Sequence, residues 1–163
     1  YNAFFSNIIC NVIEDICKIK TKIKWPNDIL INDKKISGII SEIYQKNNKD
    51  YIVIGFGVNI FSSPKIDKYP TTNINEFNKA KDSFYFVYKV IEEYLINLNK
   101  LSNAHKIIMK NYKERLLYLK SYIKLKISEE NFKEGIFDDL NTDGSIILRN
   151  KDNFEKIYNA RII

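Results

Sequence analysis

The chain has 163 residues, 45% hydrophobic, 13% aromatic and 28% charged, which suits one ordinary domain, or one with a small appendage, and excludes a disordered tail. Two cysteines cannot staple a secreted scaffold, one histidine leaves little for a histidine-based metal site or a catalytic triad, and no uninterrupted apolar run is long enough to span a membrane. The net charge of +6 fits any polyanion, but the lysines are scattered among acids and the whole chain is loaded with Lys, Asn and Ile, so charge alone selects no partner.

Phe5, Ile8, Ile9, Val12, Ile13 and Ile16 recur at helical spacing and predict an amphipathic helix over 3–18, with Lys18 near its C-terminus where a cation is favoured. Cys10 and Cys17 stand two turns apart on it and read as buried thiols. Asn2, Ser6, Asn7, Asn11, Glu14 and Asp15 interrupt this segment, which excludes a signal peptide and makes a soluble, cytoplasmic protein the expectation. From Thr21 to Asn59 the pattern changes to strands. Lys22–Trp25 alternates, Pro26-Asn27-Asp28 forces a bend, Ile29–Ile31 is a short strand, and Asn32-Asp33 is a turn. A longer strand over 35–45 and a hairpin closed by Asn47-Asn48-Lys49-Asp50 lead into a strand over 51–60, completing an antiparallel meander.

Residues 61–80, with Ser62, Ser63, Pro64, Pro70, Thr71 and Thr72, predict a long surface connection. Two helices follow, the first with Phe84, Val87, Tyr88, Ile91 and Leu95 along one face, the second over 103–118 with His105 as a partly exposed helical residue. Strands are predicted over 122–128, 131–139, 145–149 and 154–158, with Asp143-Gly144 as a hairpin turn. They suggest a small barrel, marginal alone and stable when docked on a neighbour.

Three segments hold residues suited to chemistry. In the strand over 51–60, alternation assigns Ile52, Ile54, Phe56, Val58 and Ile60 to the core and leaves Gly55, Gly57 and Asn59 on the opposite face. Glycines weaken a strand, so two at alternate positions admit two readings: a helix packed closely on that face, or a ligand lying flat across bare backbone with Asn59 bonding its edge. Gly55-Phe56-Gly57 lacks the third glycine and the following helix of a dinucleotide fingerprint. Lys24-Trp25-Pro26-Asn27-Asp28 reads either as a strand ending in a turn, with Trp25 in the core, or as a pocket edge in which Asn27 and Asp28 hold a ligand or a lysine. In the third segment Lys35 precedes Gly38 by three residues and flanks the same short hairpin as Asp28, so the two can meet. A lysine beside exposed backbone suits a carboxylate or phosphate oxygen.

Lys24-Trp-Pro-Asn-Asp28, Lys35-Ile-Ser-Gly-Ile39 with Glu42, and Gly55-Phe-Gly-Val-Asn59 together resemble the signatures of the biotin protein ligases. Tyr69-Pro70-Thr71-Thr72 and the terminal barrel fit the same layout. The resemblance implies an α+β fold, with a mixed or antiparallel sheet packed by helices as in class II synthetase-like catalytic domains. That partial catalytic domain would occupy 1–113, followed by a small Src-homology-3-like β-barrel over 114–163. It implies a ligase that joins biotin to ATP as biotinyl-5′-AMP, releases pyrophosphate, and passes biotin to a lysine of a biotin carboxyl carrier protein of acetyl-CoA carboxylase or a related carboxylase. Lys35 would be the catalytic lysine, with Asp28 orienting it or serving in transfer. Gly38 would meet the biotin pocket, Gly55 and Gly57 would pass beneath the adenylate, Asn59 would read adenine, and Lys24 and Asn27 would complete the wall. Mg²⁺ would accompany ATP, with no dedicated metal site. A homodimer is compatible, a membrane or DNA partner is not expected.

The family's Gly-Arg-rich loop is not found: the arginines before Arg161 are Arg115 and Arg149. With Tyr1 first and Met109 the lone methionine, the expectation is the C-terminal portion of such a ligase, starting at a helix that should follow a sheet. The alternative from another class is a non-catalytic small-barrel module binding nucleic acid or protein. Its basic composition favours it, and the lack of interleaved aromatic and basic residues in the barrel opposes it.

Overall fold

The computed structural model describes residues 1–79, 82–98 and 104–163. Helix α1, Asn2–Cys17, buries Phe4, Ile8, Ile9, Cys10, Val12, Ile13 and Cys17, while Phe5 and Ile16 of the expected stripe are half-buried. It stops where Lys18 turns left-handed (φ 58°) and donates its backbone N–H to the Glu14 carbonyl at 2.9 Å. Both cysteines are buried and free.

A four-stranded antiparallel sheet follows, in the order β1 (Lys22–Lys24), β2 (Asp28–Ile31), β3 (Lys34–Lys46) and β4 (Lys49–Val58). Its two tight turns carry the left-handed pairs Asn32-Asp33 (φ 49° and 60°) and Asn47-Asn48 (φ 52° and 54°), residues whose short polar side chains tolerate that region. Because these two-residue turns suffice, Lys49 and Asp50 belong to β4 rather than to the loop.

Two expectations about packing change. None of Ile52, Ile54, Phe56, Val58 and Ile60 is fully buried: Phe56 is exposed and the others are half-buried. α1 lies against β3, where Ile36 and Ile39 are closed off, whereas β4 is the sheet edge and its hairpin projects past the helices. Likewise, Phe84, Val87, Tyr88, Ile91 and Leu95 of α2 (Ser83–Leu98) are all exposed. The inward face carries Phe86 and Val90, with Tyr94 stacked on Phe5 at 5.7 Å. α2 has apolar residues on opposite sides, so periodicity alone could not say which turns inward.

The connection after β4 is less superficial than expected. Thr72, Asn73 and Ile74 are buried, and a short 3₁₀ turn over Ile74–Glu76 is latched by Glu76, whose carboxylate accepts from Thr72 Oγ1 and Asn73 Nδ2, both at 2.8 Å. Ala80, the last residue of the expected connection, lies outside the described residues, as does 103, the expected start of the second helix. That helix, α3, spans His105–Arg115, so residue 113 falls in its last turn, and Leu117 N–H then donates to the Ile23 carbonyl at 2.8 Å.

The remainder is a five-stranded antiparallel sheet in the order β8-β7-β6-β5-β9, formed by β5 (Tyr122–Lys126), β6 (Phe132–Leu140), β7 (Ile146–Asn150), β8 (Asn153–Ile157) and β9 (Arg161–Ile162). The turn at Asp143-Gly144 is as expected, Gly144 adopting φ 89°. β9 had no sequence signal, since two residues are too few to show alternation; it forms by pairing Ile162 with Leu125. The fold is thus α+β, two antiparallel sheets with helices. No helix among the described residues is long and apolar enough to cross a membrane.

Candidate functional site

The β2–β3 turn brings Asp28 and Lys35 together: Lys35 Nζ lies 2.5 Å from Asp28 Oδ1. Register explains the meeting. The two-residue turn places Lys35 opposite Leu30, and an irregularity between Ile29 and Leu30 then pairs Asp28 with Gly38 rather than Ser37. A Cβ on Gly38 would stand 3.4 Å from Lys35 Cε and Nζ and 3.7 Å from Asp28 Oδ1. A side chain at 38 would thus lie against the ion pair at contact distance.

Of the two readings of β4, the packed helix is not met: a Cβ at Gly55 or Gly57 would meet nothing within 4 Å, so no helix among the described residues packs on that face. Instead Gly38, paired with Gly57, and Ile40, paired with Gly55, lie along a cavity of about 620 Å³ that Asn27, Lys35, Asn59, Pro64, Ile66, Tyr69 and Thr71 also line. A second cavity of about 800 Å³ shares Asn27, Lys35 and Tyr69 with the first, and adds Lys24, Asp28, Lys126 and Arg161. Burial, reinforced by the charges of Arg161 and Lys35 and opposed by Asp28, lowers the pKa of the Lys24 ammonium. Every sequence-derived site residue thus borders one of two adjoining cavities, with Lys35 at their junction.

Asn59 is committed more deeply than its strand position suggested. Its Nδ2 donates to the Thr72 carbonyl at 2.9 Å and reaches the Lys35 carbonyl at 3.4 Å. Lys35 N–H donates to the Pro70 carbonyl at 2.9 Å, and Thr72 N–H donates to the Lys35 carbonyl at 3.0 Å. The segment 69–72 is thereby laid beside Lys35. Two further residues border the site: Tyr69, quoted within the segment 69–72 but given no role from sequence, whose ring centroid is 5.4 Å from Lys35 Nζ, and Arg161, whose guanidinium is 5.8 Å from the same ring. Both depend on contacts between segments far apart in the chain.

A cavity walled in part by bare backbone, with Lys35 on its lining and Asp28 beside that lysine, is concave and carries few polar groups, as small-molecule sites do. Residues 3–59 match the model of the Biotin/lipoate A/B protein ligase family. Over 130 residues the chain is 25% identical to the biotin–[acetyl-CoA-carboxylase] ligase of Mycobacterium tuberculosis, covering 79% of this chain and 47% of the relative. It is 25% identical over 168 residues to the bifunctional ligase/repressor BirA of Bacillus subtilis, covering 92% and 48%. Among solved structures it superposes on biotin protein ligase from Aquifex aeolicus in complex with biotin and ATP with a TM-score of 0.79 at 23% identity, covering 99% of this chain and 69% of that one. The chain is thus similar to biotin protein ligases, and within it residues 3–59 match the model of the biotin/lipoate A/B protein ligase family. It spans about half the length of the curated relatives it matches.

Proposed function

We propose that this chain belongs to an enzyme that activates biotin with ATP and transfers it to a lysine of a biotin carboxyl carrier protein. The observation that carries the reading is the Asp28–Lys35 pair, 2.5 Å apart, whose lysine lines a cavity along which Gly55 and Gly57 leave open space. In the first step a biotin carboxylate oxygen forms a bond to the α-phosphorus of ATP, the bond to the bridging oxygen breaks, and pyrophosphate leaves. Lys35 balances the charge shared by carboxylate and α-phosphate, and the compact ammonium suits that task. The planar parts of the adenylate lie over Gly55 and Gly57, Gly38 borders the biotin end, and Lys24 and Asn27 continue the wall. Asn59 sits where adenine would end; with its amide nitrogen engaged, Oδ1 is the atom available to accept from a base amine.

In the second step the carrier's lysine amine attacks the acyl carbon, the acyl–oxygen bond breaks, and AMP leaves. Asp28 is placed to hold Lys35 and to receive a proton from the incoming amine. Mg²⁺ enters as the counter-ion of the triphosphate substrate. The name of the Mycobacterium relative supports a carrier of acetyl-CoA carboxylase as acceptor. The two buried free cysteines suit a cytoplasmic setting. We assign the part up to about residue 113 to a synthetase-like catalytic domain and the five-stranded sheet to a small Src-homology-3-like barrel, a unit whose strand order is compatible with that architecture. Edge strand β4 would be the surface for any homodimer.

Biotin-dependent exchange of labelled pyrophosphate into ATP tests the reading. Lys35→Ala is expected to lower the exchange rate about 100-fold or more, with an unchanged far-UV circular dichroism spectrum. An unchanged rate removes Lys35 from the chemistry.

A further inference from the structure

We infer that Tyr69 is a positioning residue for Lys35, and that Arg161 of the C-terminal sheet acts on Lys35 through the Tyr69 ring. The inference rests on the reading of Lys35 as the lysine that meets the reacting groups. Three groups surround its ammonium: the Asp28 carboxylate at 2.5 Å, the Tyr69 ring with its centroid at 5.4 Å, and the backbone of Gly38, where a Cβ would come within 3.4 Å.

This is not a chance contact between two surface side chains. Pro70 and Thr72 are hydrogen-bonded to the backbone of Lys35 itself, Thr71 forms a parallel bridge with it, and Asn59 ties both strands through its amide. The ring is therefore delivered to the lysine by the main chain. It also lines both cavities.

Asp28 alone would draw the ammonium into a closed ion pair. A ring attracts a cation through its quadrupole without neutralising it, so Tyr69 offers a second, weaker seat along the wall. Lys35 can then move between the carboxylate and an anion in the cavity. Arg161, 5.8 Å from the same centroid, steadies the ring from the other sheet. Its own place is set by β9, where Lys126 pairs with Arg161 and Leu125 with Ile162. A shift of the second sheet is thereby felt at Lys35.

Competitive trace acetylation of the 163-residue chain, read by mass spectrometry as Lys35 labelling relative to the exposed Lys110, measures the seat and needs no turnover. With the ring gone, Tyr69→Leu is expected to raise relative Lys35 labelling about threefold or more, and Tyr69→Phe to keep the wild-type value. Arg161→Gln is expected to change Lys35 labelling in the wild-type background and not in the Tyr69→Leu background, because its influence passes through the ring. If Tyr69→Leu fails to fold, seen as uniform labelling of all lysines, Tyr69→Met gives the same reading. Unchanged Lys35 labelling in a folded ring-less variant, or failure of Tyr69→Phe to keep the wild-type value, overturns the proposal. An Arg161→Gln effect that persists without the ring overturns its second half. None of these outcomes depends on pyrophosphate exchange, so failure of the catalytic reading of Lys35 stays distinguishable.

Discussion

Trp25 and Gly144 meet across the two sheets: the indole Nε1–H of Trp25 donates to the Gly144 carbonyl at 3.0 Å, over a separation of 119 residues. Gly144 can present that carbonyl because its backbone is left-handed, in a turn closed by its N–H to the Asn141 carbonyl at 3.0 Å. Trp25 directly precedes the bend that carries Asn27 and Asp28. The loop that carries Asn27 and Asp28 is therefore anchored on the second sheet, with Lys113 and Asp139 adding an ion pair at 2.7 Å between α3 and β6.

Loss of that anchor should be measurable. Trp25→Phe leaves the Gly144 carbonyl without its donor and a gap in a site only 3% exposed. The expected destabilisation is about 1–3 kcal/mol, read as a lowered urea midpoint by far-UV circular dichroism. An unchanged midpoint would mean that the indole contributes nothing across the sheets.

Glu14 controls acid stability. Burial pushes its carboxyl pKa up, but the N–H and hydroxyl of Thr21, the Lys20 ammonium and the Arg115 guanidinium outweigh burial and bring it down to about 2. Arg115 also donates to Asn7 and Asn11, so the cluster joins α1 to α3. A carboxyl held below its unfolded value stabilises the fold fully above 4.5, and the contribution is lost as pH falls through about 2. The difference in urea midpoint between the wild type and Glu14→Gln should therefore shrink from pH 5 towards pH 2. A constant difference across that range would refute the assignment.

Gly57 is expected to matter for ligand and not for folding. A Cβ there meets nothing within 4 Å, and a β-branched residue suits a strand. Gly57→Val should keep or slightly raise the melting temperature. It should weaken biotinyl-5′-AMP binding about tenfold or more by calorimetry, roughly 1.4 kcal/mol. Unaltered affinity would put the adenylate elsewhere.

Asn59 has a structural duty that can be separated from ligand contact. Asn59→Leu deprives the Thr72 and Lys35 carbonyls of a donor. We expect about 1–3 kcal/mol of destabilisation and faster amide hydrogen exchange at Thr72, whose N–H bonds to Lys35. Exchange at Thr72 that matches the wild type would show the segment to be held by its other bonds alone.

Much of this was legible locally. Helical spacing in α1, the two Asn-based turns, the Asp143-Gly144 turn and most strand positions follow from residue-scale preferences acting over a few neighbours. That Asp28 and Lys35 flank one two-residue turn was legible for the same reason, whereas the irregularity between Ile29 and Leu30 that sets Asp28 opposite Gly38 was not. The inward face of α2 was not, because Phe86 and Val90 are no more apolar than the exposed Phe84 and Ile91. Packing on α1 orients the helix, with Tyr94 against Phe4 and Phe5 and Glu93 accepting from Asn11.

The composition that excluded a disulfide scaffold and a membrane helix, and the glycine pattern that left β4 bare, are properties of the chain read alone. What the bare face opens onto was decided in three dimensions. A glycine states only that a side chain is missing, and whether the space is filled depends on elements far away in sequence. Here it is bounded by Pro64, Ile66 and Tyr69 and left empty by α1 and α2, which lie elsewhere. The contact between Tyr69 and Arg161 belongs wholly to that second category, for a cation–π contact spanning 92 residues has no local signature.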